Sequence, residues 1–191
     1  DRNGKLLYQI YVDQNRTVVP LEKMPKALIQ ATLAIEDKNF YSHPGISLID
    51  MGKALTRWTF TGYLQGGSTI TQQLVKNTLL NPERTWQRKE KEVVLALMLE
   101  SKYSKNEILE MYLNLMPYGG TAWGVEAASE TYFGKNVSAL TLSESAFLAG
   151  LPQSPTTYSP FGTHPELAKT RQTNVLRNMK DTGVITDKQY N

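Results

Sequence analysis

The chain has 191 residues, enough for one domain with a sizeable core, and two separate folds are not required. Its 21 Lys and Arg against 18 Asp and Glu leave a net charge of +3, too slight to mark a polyanion partner, so no nucleic acid is expected. With no cysteine there is no disulfide, no thiolate nucleophile and no thiolate metal site. No run of about 18 apolar residues appears, and DRNGKLLYQI at the start has no signal-peptide apolar stretch, so no membrane span is expected within these residues.

In chain order, LLYQIYV at 6–12 and VVP at 18–20 flank the turn-like DQNR and predict a small N-terminal β-hairpin. From Pro25 the pattern turns helical, with helices predicted near 25–37, 48–60, 68–80, 84–101, 105–115, 124–133, 142–149 and 165–181, so the fold class is mainly α. Ser104 with Glu107, Thr141 with Glu144, and Thr163 with Glu166 have capping-box spacing, in which each side chain satisfies a free backbone N–H of the other residue. Pro165 suits a first turn, while Gly134 and Gly183 suit C-terminal caps. The Pro-rich LPQSPTTYSPFGTHP at 151–165 reads as a loop. Thr186 and Gln189 open a further helix just before Asn191, as in a domain excised from a longer protein. The expected division is a hairpin and linker over 1–22 and a helical domain over 23–191.

At the end of the first helix, AIEDKNFYSHPGIS places Glu36 and Asp37 side by side. The last turn of a helix carries negative partial charge, so two carboxylates there are electrostatically misplaced and call for a reason. His43 follows, and the chain has only one other histidine, His164, with no paired ligand spacing; His43 therefore reads as a structural residue that holds its turn.

The stretch ISLIDMGKALTRWTFTGYLQ at 46–65 aligns Leu48, Met51, Leu55 and Trp58 in one stripe. Such a segment either faces the core or lies in a membrane interface without spanning it. In GGSTITQQLVKN at 66–77, Ser68 can cap the helix behind two glycines, an arrangement that attracts anions. Thr69, Gln72, Gln73 and Lys76 can share its polar face, which is either a solvated side or a binding surface.

ERTWQRKEKEVVLALMLE at 83–100 begins basic and ends in an apolar run that predicts a core helix. Glu92 either pairs with Arg88 at i,i+4 or serves as a second functional carboxylate facing the first. On the functional alternative, Lys76, Arg84, Arg88 and Lys89 form a pyrophosphate clamp, to which the planar guanidinium fork is suited.

Taken in order, EDKNFYSHPG, GGSTITQQ, RKEKE as Arg-Lys-x-x-Glu, KNEILEMYLN and GVEAASETYFGK resemble the motifs of peptidoglycan glycosyltransferases, glycosyltransferase family 51. NGKLLYQIYV and AFLAGLPQSP look more like the bifunctional class A penicillin-binding type than the monofunctional one. Ser47 departs from the Asp of many relatives, without bearing on the chemistry.

The resemblance implies a lysozyme-like, two-lobed helical fold with residues 46–65 facing the membrane, and polymerisation of lipid II into glycan strands. It implies Glu36 as general base, Glu92 as the second essential acid, and Asp37 as the base's motif neighbour and a substrate-binding residue. Ser68, Gln73, Lys76, Arg84, Arg88 and Lys89 are the implied lipid-pyrophosphate residues. The implied partners are lipid II, the growing lipid-linked glycan, the outer face of the bacterial cytoplasmic membrane with a missing N-terminal helix as anchor, and moenomycin-type inhibitors. No cofactor is required by the sequence; magnesium or manganese has a place at the pyrophosphate. The rival expectations are a lysozyme-like glycan-cleaving enzyme and a non-catalytic lipid II or wall-binding module. A carboxylate at a helix end beside a second carboxylate is expected to have a raised pKa, which suits a base acting on a sugar hydroxyl.

Overall fold

The computed structural model describes residues 17–49, 51–52, 56, 67–81 and 85–190. Its helices are α1 (Lys26–Glu36), α2 (Ile70–Thr78), α3 (Trp86–Lys102), α4 (Lys105–Leu115), α5 (Val125–Phe133), α6 (Leu142–Gly150), α7 (Glu166–Asp181) and α8 (Asp187–Tyr190). Between α4 and α5 an antiparallel hairpin joins β1 (Pro117–Gly119) to β2 (Ala122–Trp123). The fold is mainly α with this small hairpin, consistent with a lysozyme-like two-lobed domain. Of the hairpin expected at the N-terminus, residues 6–12 lie outside the described residues, and residues 18–20 form no strand.

α4 is the axis of the main core. Ile108, Leu109, Tyr112 and Leu113 recur at helical spacing and are fully buried against Leu28, Phe40, Ile70 and Leu74. Truncating one such residue, Leu28→Ala for example, costs about 2–5 kcal/mol through lost transfer energy and the cavity left behind. The opposite face of the helical segment ties down the incoming chain. Asn114 accepts from the Val19 N–H at 2.9 Å and donates to the Val19 carbonyl at 2.9 Å, while Glu110 accepts from the Leu21 N–H at 2.7 Å. The motif KNEILEMYLN is thus in large part a clamp on residues 19–21.

A second core sets larger side chains against alanines. Ala31 and Ala34 of α1 and Ala146 and Ala149 of α6 are buried together with Val175 and Met179 of α7 and with Ile185. The alanines let α1, α6 and α7 pack closely on one another.

Capping boxes form at Ser104/Glu107, Thr141/Glu144 and Thr186/Gln189. Gly134 and Gly183, with φ of 65° and 73°, end α5 and α7. The box expected at Thr163/Glu166 does not form: Pro165 occupies the N-cap, and Glu166 instead accepts from His164 at 3.2 Å.

The apolar run of α3 is not a core run. Glu92 and Ala96 are its buried residues, whereas Val94, Leu97 and Met98 are exposed. α3 packs mainly against α2 on one side, and no described element covers the other. The helix expected at 48–60 lies largely outside the described residues; 48–49, 51–52 and 56 are helical, with Leu48, Ile49 and Met51 exposed.

Candidate active site

The two adjacent carboxylates diverge because the helix stops between them. Asp37 leaves α1 with φ −161° and ψ 83°, so the side chains of Glu36 and Asp37 meet different partners. Asp37 accepts from the N–H of Ile70, the first residue of α2, at 3.0 Å. It therefore stands at the positive end of a second helix, where an acidic group is favoured. Its other donor is His43 Nε2, 3.0 Å from both oxygens. The Gly45 N–H donates to His43 Nδ1 at 3.1 Å, so that nitrogen is unprotonated and the ring proton sits on Nε2. His43 does hold its turn, and Asp37 is what it holds.

The loop is locked from behind as well. Thr69 caps α2 in a capping box with Gln72 and also donates to the Gly45 carbonyl at 2.6 Å. Ser68, expected as the cap, lies one residue outside. Gly45 has φ 95° and packs so closely on α3 that a Cβ would lie 2.7 Å from Glu100 Cγ. Lys105 donates to the His43 carbonyl at 2.6 Å and to Glu100 at 2.8 Å, and its ammonium lies 4.4 Å from the centre of the Phe40 ring. Thr69 and Gln72 are buried rather than part of a solvated face.

Glu36 is largely buried, its side chain 8% exposed. Gln73 Nε2 donates to Oε2 at 2.8 Å, and Arg171 Nη2 lies 3.3 Å from Oε1. Gln73 in turn accepts from the buried Tyr112 hydroxyl at 3.2 Å, which fixes its amide so that the NH₂ faces the carboxylate. Burial is what chiefly raises the Glu36 pKa; the Gln73 hydrogen bond and the charges of Arg171 and Lys76 pull it back, and Asp37 adds the weakest push. The neighbouring carboxylate, expected as a main cause, is a minor one because its charge faces away. Lys76 follows Gln73 by one helical turn and is exposed.

Glu92 is buried on α3 and bonds to the ammonium of Lys89, which also reaches Ser68 Oγ at 3.4 Å. Its ion pair is therefore with Lys89 at i,i+3, not with Arg88 at i,i+4. Arg88 reaches the Asn81 carbonyl at 3.5 Å and lines a cleft of about 280 Å³ with Thr85, Gln87 and Lys91. Arg84 lies outside the described residues.

The structure thus joins Glu36 to Gln73 with Lys76 close by, joins Ser68 to Lys89 and Glu92, and sets Asp37 behind them as a support. Arg171 and Tyr112 complete the setting and were not foreseen. Tyr112 lies inside the KNEILEMYLN motif, which gave a signal for it. Arg171 sits on an ordinary charged helix, 135 residues from its partner, and no local pattern marks it. Chemically, the arrangement offers a buried carboxylate with a raised pKa near the exposed Lys76 of α2: a base next to a place for an anion.

A profile of the family described as Transglycosylase matches residues 3–180. The chain is 45% identical over 190 residues to penicillin-binding protein 1F of Bacillus subtilis, covering 99% of this chain and 26% of that protein. It is also 45% identical over 191 residues to penicillin-binding protein 1A of Aquifex aeolicus, covering all of this chain and 26% of that protein. The crystal structure of penicillin-binding protein 1A from Haemophilus influenzae superposes with a TM-score of 0.56 at 29% identity, over 93% of this chain and 17% of that one. The chain spans about a quarter of the length of the curated relatives it matches. A match over nearly the whole chain places it in a family: the chain belongs to the transglycosylases, the glycosyltransferase family 51 domain characteristic of class A penicillin-binding proteins.

Proposed function

We propose that this chain polymerises lipid II into β-1,4-linked glycan strands, with inversion at the anomeric carbon and release of undecaprenyl pyrophosphate. The observation that carries the reading is Glu36, buried with a raised pKa and oriented by Gln73 and Arg171, beside the exposed cation Lys76. Glu36 takes the proton of the acceptor 4-hydroxyl as that oxygen attacks the anomeric carbon of the lipid-linked chain. The bond to the pyrophosphate oxygen breaks on the opposite face, and the pyrophosphate leaves with the electron pair. Such a leaving group needs charge neutralisation more than protonation, which Lys76, Arg84, Arg88 and Lys89 supply. Glu92 and Ser68 hold the Lys89 ammonium in place for that task.

Magnesium or manganese, where one takes part, would add neutralising charge at the pyrophosphate. The exposed Leu48, Ile49 and Met51 support a membrane-interface role for residues 46–65, and the membrane surface for this reaction would be the outer face of the cytoplasmic membrane. No helix among the described residues is long and apolar enough to cross it. Moenomycin-type inhibitors would compete with lipid-linked substrate for Lys76, Arg84, Arg88 and Lys89.

Lipid II supplied to the chain in detergent or liposomes should give glycan polymer, while preformed glycan strands stay uncut. Cleaved strands would favour a lysozyme-like hydrolase, and lipid II binding without polymer a docking module.

A further inference from the structure

The motif AFLAGLPQSP has no part in the chemistry above, yet it ends α6 against the one long-range ion pair that Glu36 makes among the described residues. Arg171 Nε donates to the Gly150 carbonyl at 3.1 Å, and its guanidinium lies 5.4 Å from the Tyr158 ring centre. The remaining nitrogen shown in contact, Nη2, meets Glu36 Oε1 at 3.3 Å. The side chain is 13% exposed. Its passage from α7 to α1 depends on a notch: a Cβ on Gly150 would lie 2.8 Å from Arg171 Cγ and 3.5 Å from Val175 Cγ2.

Resting on the reading of Glu36 as the base, we propose that Arg171 is a positioning residue, seated by the Gly150 notch and carbonyl, that holds the Glu36 carboxylate against Gln73 in the orientation needed for proton transfer. The two carboxylate oxygens are each engaged once, Oε2 by Gln73 and Oε1 by Arg171, which fixes the plane of the group and leaves lone pairs for the acceptor's proton. A planar guanidinium can bind a carbonyl through Nε and a carboxylate through Nη2 at the same time; an ammonium is a point charge without that fork. The charge also keeps a buried base ionised at the pH where it must accept a proton. The titratable or charged groups whose fields reach Glu36 are Lys76 from α2, Tyr112 from α4, Tyr118 from the hairpin, Arg171 from α7 and, turned away and weakest in effect, Asp37 just after α1. Arg171 is the cation among them in direct contact with the carboxylate.

The test measures lipid II polymerisation against pH for the parent, Arg171→Gln, Arg171→Lys and Gly150→Ala, with Glu36→Gln as control. In Arg171→Gln, kcat should fall roughly 100-fold with KM little changed, as a misplaced reacting group does, and the acid limb of kcat/KM should move to higher pH. Arg171→Lys should restore most of the acid limb but not kcat, separating charge from orientation. Gly150→Ala keeps every charge but displaces the Arg171 side chain; it should lower kcat, and add nothing further when combined with Arg171→Gln. If Glu36→Gln is inactive while Arg171→Gln keeps the parent's kcat and acid limb, the positioning role is overturned and the base reading stands. Polymer from Glu36→Gln at the parent's rate overturns the base reading itself. If Arg171→Gln does not fold, Gly150→Ala decides: an unchanged kcat overturns the proposal.

Discussion

The family resemblance groups Asp37 with the substrate-binding residues, whereas its partners in the structure are the Ile70 N–H and His43 Nε2. Replacing Asp37 with alanine removes the acceptor of these two buried donors, at 3.0 Å each. Hydrogen bonds to a charged group contribute about 1.5–3 kcal/mol each, and both donors would be left unpaired, so the loss should reach about 3–6 kcal/mol. Domains of this length lose roughly 2–4 °C per kcal/mol, which puts the fall in Tm at about 6–24 °C. Asp37→Asn should lose less, about 1–3 kcal/mol, because its single carbonyl oxygen can serve one donor while its NH₂ opposes the other. His43 cannot relieve that conflict by changing tautomer, since Nδ1 already accepts from Gly45. Thermal denaturation at neutral pH, with binding of a lipid II analogue measured well below the transition, checks the series. An Asp37→Ala protein with the parent's Tm and no analogue binding would refute the reasoning and return Asp37 to the substrate surface.

Lys76→Ala should lose polymerisation while Tm stays within about 1 °C, because an exposed lysine adds little to stability; full activity would remove it from the clamp. The Tyr118 hydroxyl is buried with no hydrogen-bond partner among the described residues, so Tyr118→Phe should stabilise by about 1–3 kcal/mol in urea unfolding, and a loss would show that the hydroxyl is satisfied. Glu36→Gln should abolish polymer yet match or exceed the parent's Tm at neutral pH. A raised folded pKa means stability is fullest below the ordinary value of 4.5 and declines as pH rises from there through the folded pKa, so the neutral amide escapes that loss. A clearly lower Tm would show that Arg171 and Gln73 outweigh burial.

What the sequence determined by itself is the local part of this protein. Helix positions, the boxes at Ser104 and Thr141, the glycine stops and the turn held by His43 depend on hydrogen bonds between residues a few positions apart, and spacing encodes those. Glu36, Gln73 and Lys76 were marked by a helix-end position, by helical spacing and by the family resemblance, while the meeting of Gln73 with Glu36 is a contact across 37 residues. Tertiary structure decided which groups meet. It set Arg171 on Glu36 across 135 residues, turned Asp37 to the start of α2, paired Glu92 with Lys89, and left the apolar side of α3 uncovered. Each of these depends on which surfaces three or four helices bury against one another. An apolar or charged residue reads the same in sequence whichever neighbour it finds, and only packing removes water from one face and supplies the partner that burial then demands.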